Sequence, residues 1–238
     1  MKDQAGIILG AGKGLGRTIS HRLSRTFKCL ILAGRTRENL ETTLSELKTT
    51  AANKDVDFLI KQVDLTDDDS IVKFVESLKE VGLPIRALIN TAAGFYKGRF
   101  YDQPPDSINK LISANYTGPV LLTSKLLQEN LRSEVIDIIH VTNINSSTTL
   151  DSSRSSSMHT SSKAALNIFS KVLGREVVSD GVRLTVLAPG TYARHDREGI
   201  SEESVAQIVE FLLSLPNDAW IESIEVRPTL FAPKGNNG

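Results

Sequence analysis

A single cysteine, Cys29, in 238 residues leaves no possibility of an intrachain disulfide, which fits a reducing compartment. Cys29 also sits inside an apolar run, CLILAG at 29–34, where a thiol is a core group rather than a nucleophile. An excess of charge of one sign is lacking too. Basic and acidic residues number 28 each, so no bulk field draws the chain to nucleic acid or to an anionic membrane. No apolar run approaches the ~20 residues needed to cross a bilayer, and no stretch resembles a signal peptide. The expected location is therefore the cytoplasm, with neither membrane nor nucleic acid as a partner. The histidines, His21, His140, His159 and His195, lie at no metal-ligand spacing, so no metal is expected. The G-x-S-x-G elbow of an α/β hydrolase is missing as well.

What is present is a repeating alternation. Apolar residues make up 40% of the chain, and a chain of this length can bury a self-supporting core. Short apolar runs predict strands at 5–10, 29–34, 57–63, 85–90, 135–144, 182–188 and 221–226. Helical spacing separates them. Leu15, Ile19, Leu23 and Phe27 share one face of a helix over 14–27, and Leu40, Leu44 and Leu47 one face over 38–51. Ile71, Phe74, Val75 and Leu78 do the same for a helix that Thr66 can cap. A long helix over 105–131 should bend at Gly118–Pro119, and two more run over 161–179 and 202–215. Strands alternating with helices imply an α/β fold: a doubly wound, Rossmann-type parallel sheet of about seven strands. One domain is expected over 1–232, with a disordered tail at 233–238. The serine-rich stretch 146–157 reads as a surface loop beside the ligand crevice rather than a linker, because elements of the same fold flank it closely.

The first strand-to-helix junction carries Gly10, Gly12, Lys13, Gly14, Leu15 and Gly16. Leu15 stands where the last glycine of G-x-G-x-x-G would be, so the pattern is G-x-x-x-G-x-G. The physics is shared: glycines let the backbone turn tightly against a pyrophosphate, and the helix N-terminus offers N–H donors and a positive dipole end. Dinucleotide folds place an acid about 20 residues further on for the ribose hydroxyls. Here Arg35 occupies that place, with Lys13 in the loop itself. Two cations suit a ribose 2′-phosphate, so the cofactor expected is NADP(H).

With these motifs in place, the chain resembles the short-chain dehydrogenase/reductase family over nearly its whole length. Gly10, Gly14 and Gly16 match the family's T-G-x-x-x-G-x-G, with Leu9 for the threonine. The resemblance implies that Asp64 and Leu65 meet the adenine. Asn90 and Ala92, in Asn90-Thr-Ala-Ala-Gly94, correspond to the N-N-A-G motif with one extra alanine. Pro189 and Gly190 correspond to the P-G beside the nicotinamide, and 225–229 is similar to the tails of several small-carbonyl and hydroxy-acid reductases. For catalysis it implies Asn115 as the helix asparagine of a proton relay, Ser146 as the group polarising the carbonyl, and Lys163 as the lysine that holds the ribose and tunes the acid. It further implies a homodimer or homotetramer through helices 105–131 and 161–179, and a small carbonyl or alcohol substrate.

The family's Y-x-x-x-K appears here as His159-Thr-Ser-Ser-Lys163. Ser146 lies 13 residues before His159, the usual family spacing. Arg194 replaces a frequent threonine, and 191–201 leaves little room for a helical lid. Histidine is a general acid only as imidazolium, and a neighbouring Lys163 disfavours that form. Three readings stay open at this point: His159 substitutes for tyrosine, it marks a weakened or non-catalytic NADP-binding protein, or another group supplies the proton.

Overall fold

The computed structural model describes residues 1, 3–50, 56–96, 99–129, 131–144, 157–193 and 199–229. Seven strands form one sheet: β1 Ala5–Leu9, β2 Cys29–Gly34, β3 Asp57–Gln62, β4 Ile85–Asn90, β5 Arg132–Val141, β6 Val182–Pro189 and β7 Ser223–Val226. Their order is β3-β2-β1-β4-β5-β6-β7, and every neighbouring pair is parallel. The helices between them are α1 Gly14–Arg22, α2 Arg37–Thr50, α3 Asp68–Ser77, α4 Pro105–Ile112, α5 Gly118–Gln128, α6 Ser157–Val177 and α7 Glu202–Ser214. This is the doubly wound architecture that the strand–helix alternation predicts.

Successive strand residues point to opposite faces, and the core divides accordingly. Ile7, Leu9 and Ile31 pack with Ile71 and Phe74 of α3 and with Leu122 and Leu126 of α5. Ile8, Leu30 and Leu32 pack with Ile19 of α1, Leu40 of α2 and Val205 and Val209 of α7. Burial of each such side chain is worth about 1.5–3 kcal/mol, which holds a helix as short as α1 that would be unstable alone. Chain order reverses direction between β1 and β4, so the crevice lies at the carboxyl ends of those strands. Among the described residues no helix is long and apolar enough to cross a membrane.

Several boundaries depart from the sequence reading. Helix α1 stops at Arg22, not at 27, yet Leu23 and Phe27 are still buried. The Phe27 ring fills the space over Gly6, where a Cβ would stand 2.6 Å from it, so a turn satisfies the apolar spacing. Asp67, not Thr66, caps α3 by accepting from the Asp69 and Ser70 N–H groups; the Thr66 hydroxyl donates instead to Asp64 Oδ1 at 2.8 Å. The expected long helix over 105–131 is interrupted by a π-helical turn, Ser113–Thr117, immediately before Gly118–Pro119. A proline that offers no N–H favours such local widening. Strand β5 begins and ends three residues before its expected limits. Helix α6 begins at Ser157, placing His159 in its first turn.

Near the amino ends of the central strands lies a buried ion triad. The Asp137 carboxylate of β5 accepts from Arg86 of β4. It also accepts from Arg183 of β6, at 2.7 Å from Nε and 2.9 Å from Nη2. Arg183 Nη1 further donates to the carbonyls of Pro216 at 2.7 Å and Ala219 at 2.8 Å. Cys29 is buried, and burial pushes its thiol up to about 11, as a core group requires.

Candidate active site

The loop after β1 is shaped by what its glycines lack. Gly10 adopts φ +91°, and a Cβ there would stand 2.6 Å from Thr91 Oγ1. A Cβ on Gly16 would meet the Gly10 carbonyl oxygen at 2.1 Å, so helix α1 can start this close to the strand only with glycine at that position. Arg17 ties the loop to α2: it donates to the Gly12 carbonyl at 2.7 Å and Thr43 Oγ1 at 3.1 Å, and pairs with Glu46 at 2.9 Å. The sequence reading did not single out Arg17, whose only local signal is an i to i+5 relation to Gly12.

A cavity of about 300 Å³ opens over this loop. Of the expected cofactor residues, Gly10, Gly12, Lys13, Leu15, Gly16, Arg35, Asp64, Leu65 and Ala92 line it. Thr91 and Gly94 of the Asn90–Gly94 motif line it too, as do Thr36 and Asn39, which the sequence did not single out. Gly14, at φ +52°, starts α1 beside it. Asn90 ends β4, buried; its Oδ1 accepts from the Ala92 N–H at 3.1 Å, while its Nδ2 has no partner among the described residues. Pro189 and Gly190 close β6, and the Gly190 N–H donates to the Val226 carbonyl at 2.8 Å. They lie at the same carboxyl edge of the sheet, outside the cavity lining. Neither Lys13 nor Arg35 forms an ion pair with a described residue. A glycine cradle at a helix N-terminus, two cations and an unpartnered Asn90 amide fit a phosphorylated dinucleotide.

The second half of the site is built by the chain after β4, the π turn and the first turns of α6. Asn115, in the π turn, has no exposed surface. Its Oδ1 accepts from the Gly94 N–H at 2.6 Å, and its Nδ2 donates to the Gly94 carbonyl at 3.1 Å and to Ser162 Oγ at 3.0 Å. His159 Nδ1 lies 3.0 Å from the same Gly94 carbonyl. The Phe95 ring meets the imidazole edge-on, with centroids 5.6 Å apart. Lys163, buried, donates to the carbonyls of Ala92 at 3.1 Å and Val141 at 2.9 Å. Burial brings its ammonium down to about 8. His159 is lowered as well, chiefly by burial; the bond to Gly94 opposes this, and the Lys163 charge adds to it. The structure thus brings Asn115, His159 and Lys163 together around Gly94. Ser146 and residues 194–198, Arg194 among them, lie outside the described residues, as does the expected tail at 233–238. The ends of the 191–201 segment are joined by a bridge between Tyr192 and Ile200.

Behind this cluster His140 of β5 is fully buried, with Nδ1 2.8 Å from Ser170 Oγ and Nε2 3.4 Å from Thr123 Oγ1. Desolvation, then the Lys163 charge, pulls it down to about 3. His140 is a neutral core group.

The short chain dehydrogenase family model matches residues 4–203. An uncharacterized oxidoreductase of Staphylococcus aureus strain MW2 is 23% identical over 236 residues, covering 96% of this chain and 98% of the relative. Another uncharacterized oxidoreductase, from Staphylococcus saprophyticus, is also 23% identical with the same coverage. Among solved structures, a metagenomic short-chain oxidoreductase in complex with NADP superposes with a TM-score of 0.83 at 22% identity, covering 97% of this chain and 99% of that one. Actinorhodin polyketide ketoreductase with NADPH gives a TM-score of 0.83 at 18% identity, covering 95% and 97%. With the sheet order, the glycine cradle and the match over residues 4–203 in agreement, the chain belongs to the short-chain dehydrogenase family of oxidoreductases.

Proposed function

We propose that this oxidoreductase binds NADP(H) and interconverts a small carbonyl compound and its alcohol, with His159 as the proton-transferring group. The observation that carries the reading is continuity. The cleft lined by Lys13 and Arg35 runs along the loop Thr91–Gly94, and Gly94 is the residue that His159 contacts. When bound, the nicotinamide supplies or takes up the hydride. The chain's own residues do the rest. Lys13 and Arg35 pair with the 2′-phosphate, and the N-terminus of α1 faces the pyrophosphate. Asp64 and Leu65 border the adenine, and Asn90, Ala92, Pro189 and Gly190 the nicotinamide half. Lys163 spends two of its three donors on the Ala92 and Val141 carbonyls, and the third serves the ribose. Ser146 polarises the substrate oxygen. Residues 1–232 act as one unit in the cytoplasm. The chain assembles as a homodimer or homotetramer through α4–α5 and α6, whose Ile168 and Val172 are exposed apolar residues.

A second reading has one observation in its favour. The amide of Asn115 is taken up by Gly94 and Ser162, so the water-positioning role implied by the resemblance competes with existing bonds. On that reading the chain binds NADP(H) with little turnover. The experiment is a calorimetric titration with NADP⁺ and NAD⁺, followed by NADPH oxidation against a panel of ketones. NADP⁺ binds more tightly, and Arg35→Asp reverses the preference by about 2–4 kcal/mol through lost charge-assisted bonds and new repulsion. Equal affinities in the unmodified protein refute the NADP reading. Binding without turnover favours the second reading.

A further inference from the structure

We infer that the bond network around Gly94 holds His159 in one tautomer, with Nε2 as the acceptor, so that the site is built to take a proton from an alcohol hydroxyl. This rests on the oxidoreductase reading above and assigns its direction and the part of Asn115.

The argument begins at the partner of Nδ1. A backbone carbonyl oxygen can only accept, so a ring nitrogen 3.0 Å from the Gly94 carbonyl must carry the hydrogen. In a neutral imidazole one nitrogen carries hydrogen and the other a lone pair; Nε2 is therefore the acceptor. The carbonyl is itself fixed. Asn115 grips Gly94 at both backbone atoms, receiving its N–H and donating to its oxygen. Ser162 anchors Asn115 and donates in turn to the His159 carbonyl at 3.1 Å. The chain of bonds closes on itself: Asn115 to Gly94, Gly94 to the imidazole, His159 to Ser162, Ser162 back to Asn115. The opposite tautomer would face two lone pairs at each other across 3.0 Å.

The bond to the Gly94 carbonyl favours a positive charge on the ring, but burial outweighs it and the Lys163 charge adds to burial. Gly94 and Phe95 pack against it from the segment after β4, and Asn115 acts from the π turn. Lys163 on α6 is the charged group coupled to it, and it is of the same sign. On the loop beyond Phe95, Arg99 and Asp102 pair with each other at 3.0 Å. The neutral ring is thus the resting form near neutral pH. In the forward step the substrate O–H bond breaks and its proton goes to Nε2. The carbinol C–H leaves with its electron pair as hydride to the oxidised nicotinamide dinucleotide, and C–O becomes C=O. The reverse step needs imidazolium, the scarcer form. Asn115 is then a positioning residue, acting through the Gly94 carbonyl rather than on the substrate.

The test is long-range ¹H–¹⁵N correlation of the histidine-labelled full chain without cofactor, from pH 4 to 9, with the signal assigned by its loss in His159→Gln. A neutral ring protonated at Nδ1 at pH 7, titrating below ~6.5, supports the inference. An Nε2–H ring, or imidazolium at pH 7, overturns it. Asn115→Ala should raise the Nε2–H population at least about threefold, a change that loss of packing alone does not direct; an unaltered ratio overturns the positioning role. With an accepted substrate pair, kcat/KM for alcohol oxidation should rise through the His159 midpoint and then stay level, and ketone reduction should fall through the same midpoint. The reversed pattern overturns the base assignment. Titration with NADP⁺ separates the two claims. No affinity for the dinucleotide brings down the functional reading whatever the tautomer, whereas binding alongside an Nε2–H ring brings down only this inference.

Discussion

Replacing Asp137 by asparagine should be among the most damaging single changes outside the cleft. The side chains of Asp137, Arg86 and Arg183 are 7%, 8% and 4% exposed, so the triad sits in a weakly screening environment. Asparagine nearly preserves shape but removes the charge and leaves two buried guanidiniums. Removing one partner of a buried pair costs about 3–5 kcal/mol. For a chain of this length that corresponds to a fall in Tm of about 6–20 °C, at roughly 2–4 °C per kcal/mol. The two arginines should then diverge. Arg183 keeps the carbonyls of Pro216 and Ala219; Arg86 keeps no other partner among the described residues. Adding Arg86→Met to Asp137→Asn should therefore recover part of the loss, and adding Arg183→Met should deepen it by freeing those carbonyls. Urea unfolding followed by far-UV dichroism, with m-values compared, is the assay. A single variant within about 1 kcal/mol of the unmodified protein, or better rescue by Arg183→Met, refutes the reasoning.

Two further outcomes follow from the site. His140 is lowered to about 3 in the folded chain, so the unfolded chain takes up a proton between ~6.5 and that value while the native one does not. The associated stability is complete above pH ~6.5 and drains away as pH falls towards 3. His140→Asn should thus flatten the loss between pH 6.5 and 5 by about 2 kcal/mol, and parallel urea midpoints for the two proteins would contradict it. Gly16→Ala places a methyl 2.1 Å from the Gly10 carbonyl oxygen, which only backbone movement relieves. NADP(H) affinity should fall at least about tenfold, 1.4 kcal/mol, and unchanged affinity by calorimetry would show that the loop does not hold the cofactor.

The strand–helix alternation made the architecture legible, because burial patterns such as CLILAG and IRALIN can be satisfied on both faces only inside a parallel sheet. The glycine spacing pointed equally well to the cleft, since a missing Cβ is a property of the sequence itself. Boundaries fared worse where a local cue competed with packing. Phe27 continued a helical stripe yet belonged to a turn over Gly6, and Thr66 lost the capping position to Asp67. The π turn at Ser113–Thr117 leaves no periodic signature, as one extra residue looks like an ordinary helix. Gly94 was visible as the end of a motif, but its part in the site was not. Its importance lies in a main-chain carbonyl shared by Asn115 and His159, and every residue type carries that group.

The wide turn before Gly118 has a bearing on how this chain tolerates change. An α-helix advances about 100° per residue, so one additional residue rotates everything on one side relative to the other. Shortening 113–117 by one position would yield a regular helix with better local hydrogen bonding. Its two ends, Leu111 and Leu122, are both seated in the core and could not both keep their places. Asn115, midway, would swing away from Gly94. Most single deletions harm a helix by breaking it; here the harm would come from mending one, and relatives that differ by one residue at this point are expected to hold the segment after β4 by other means.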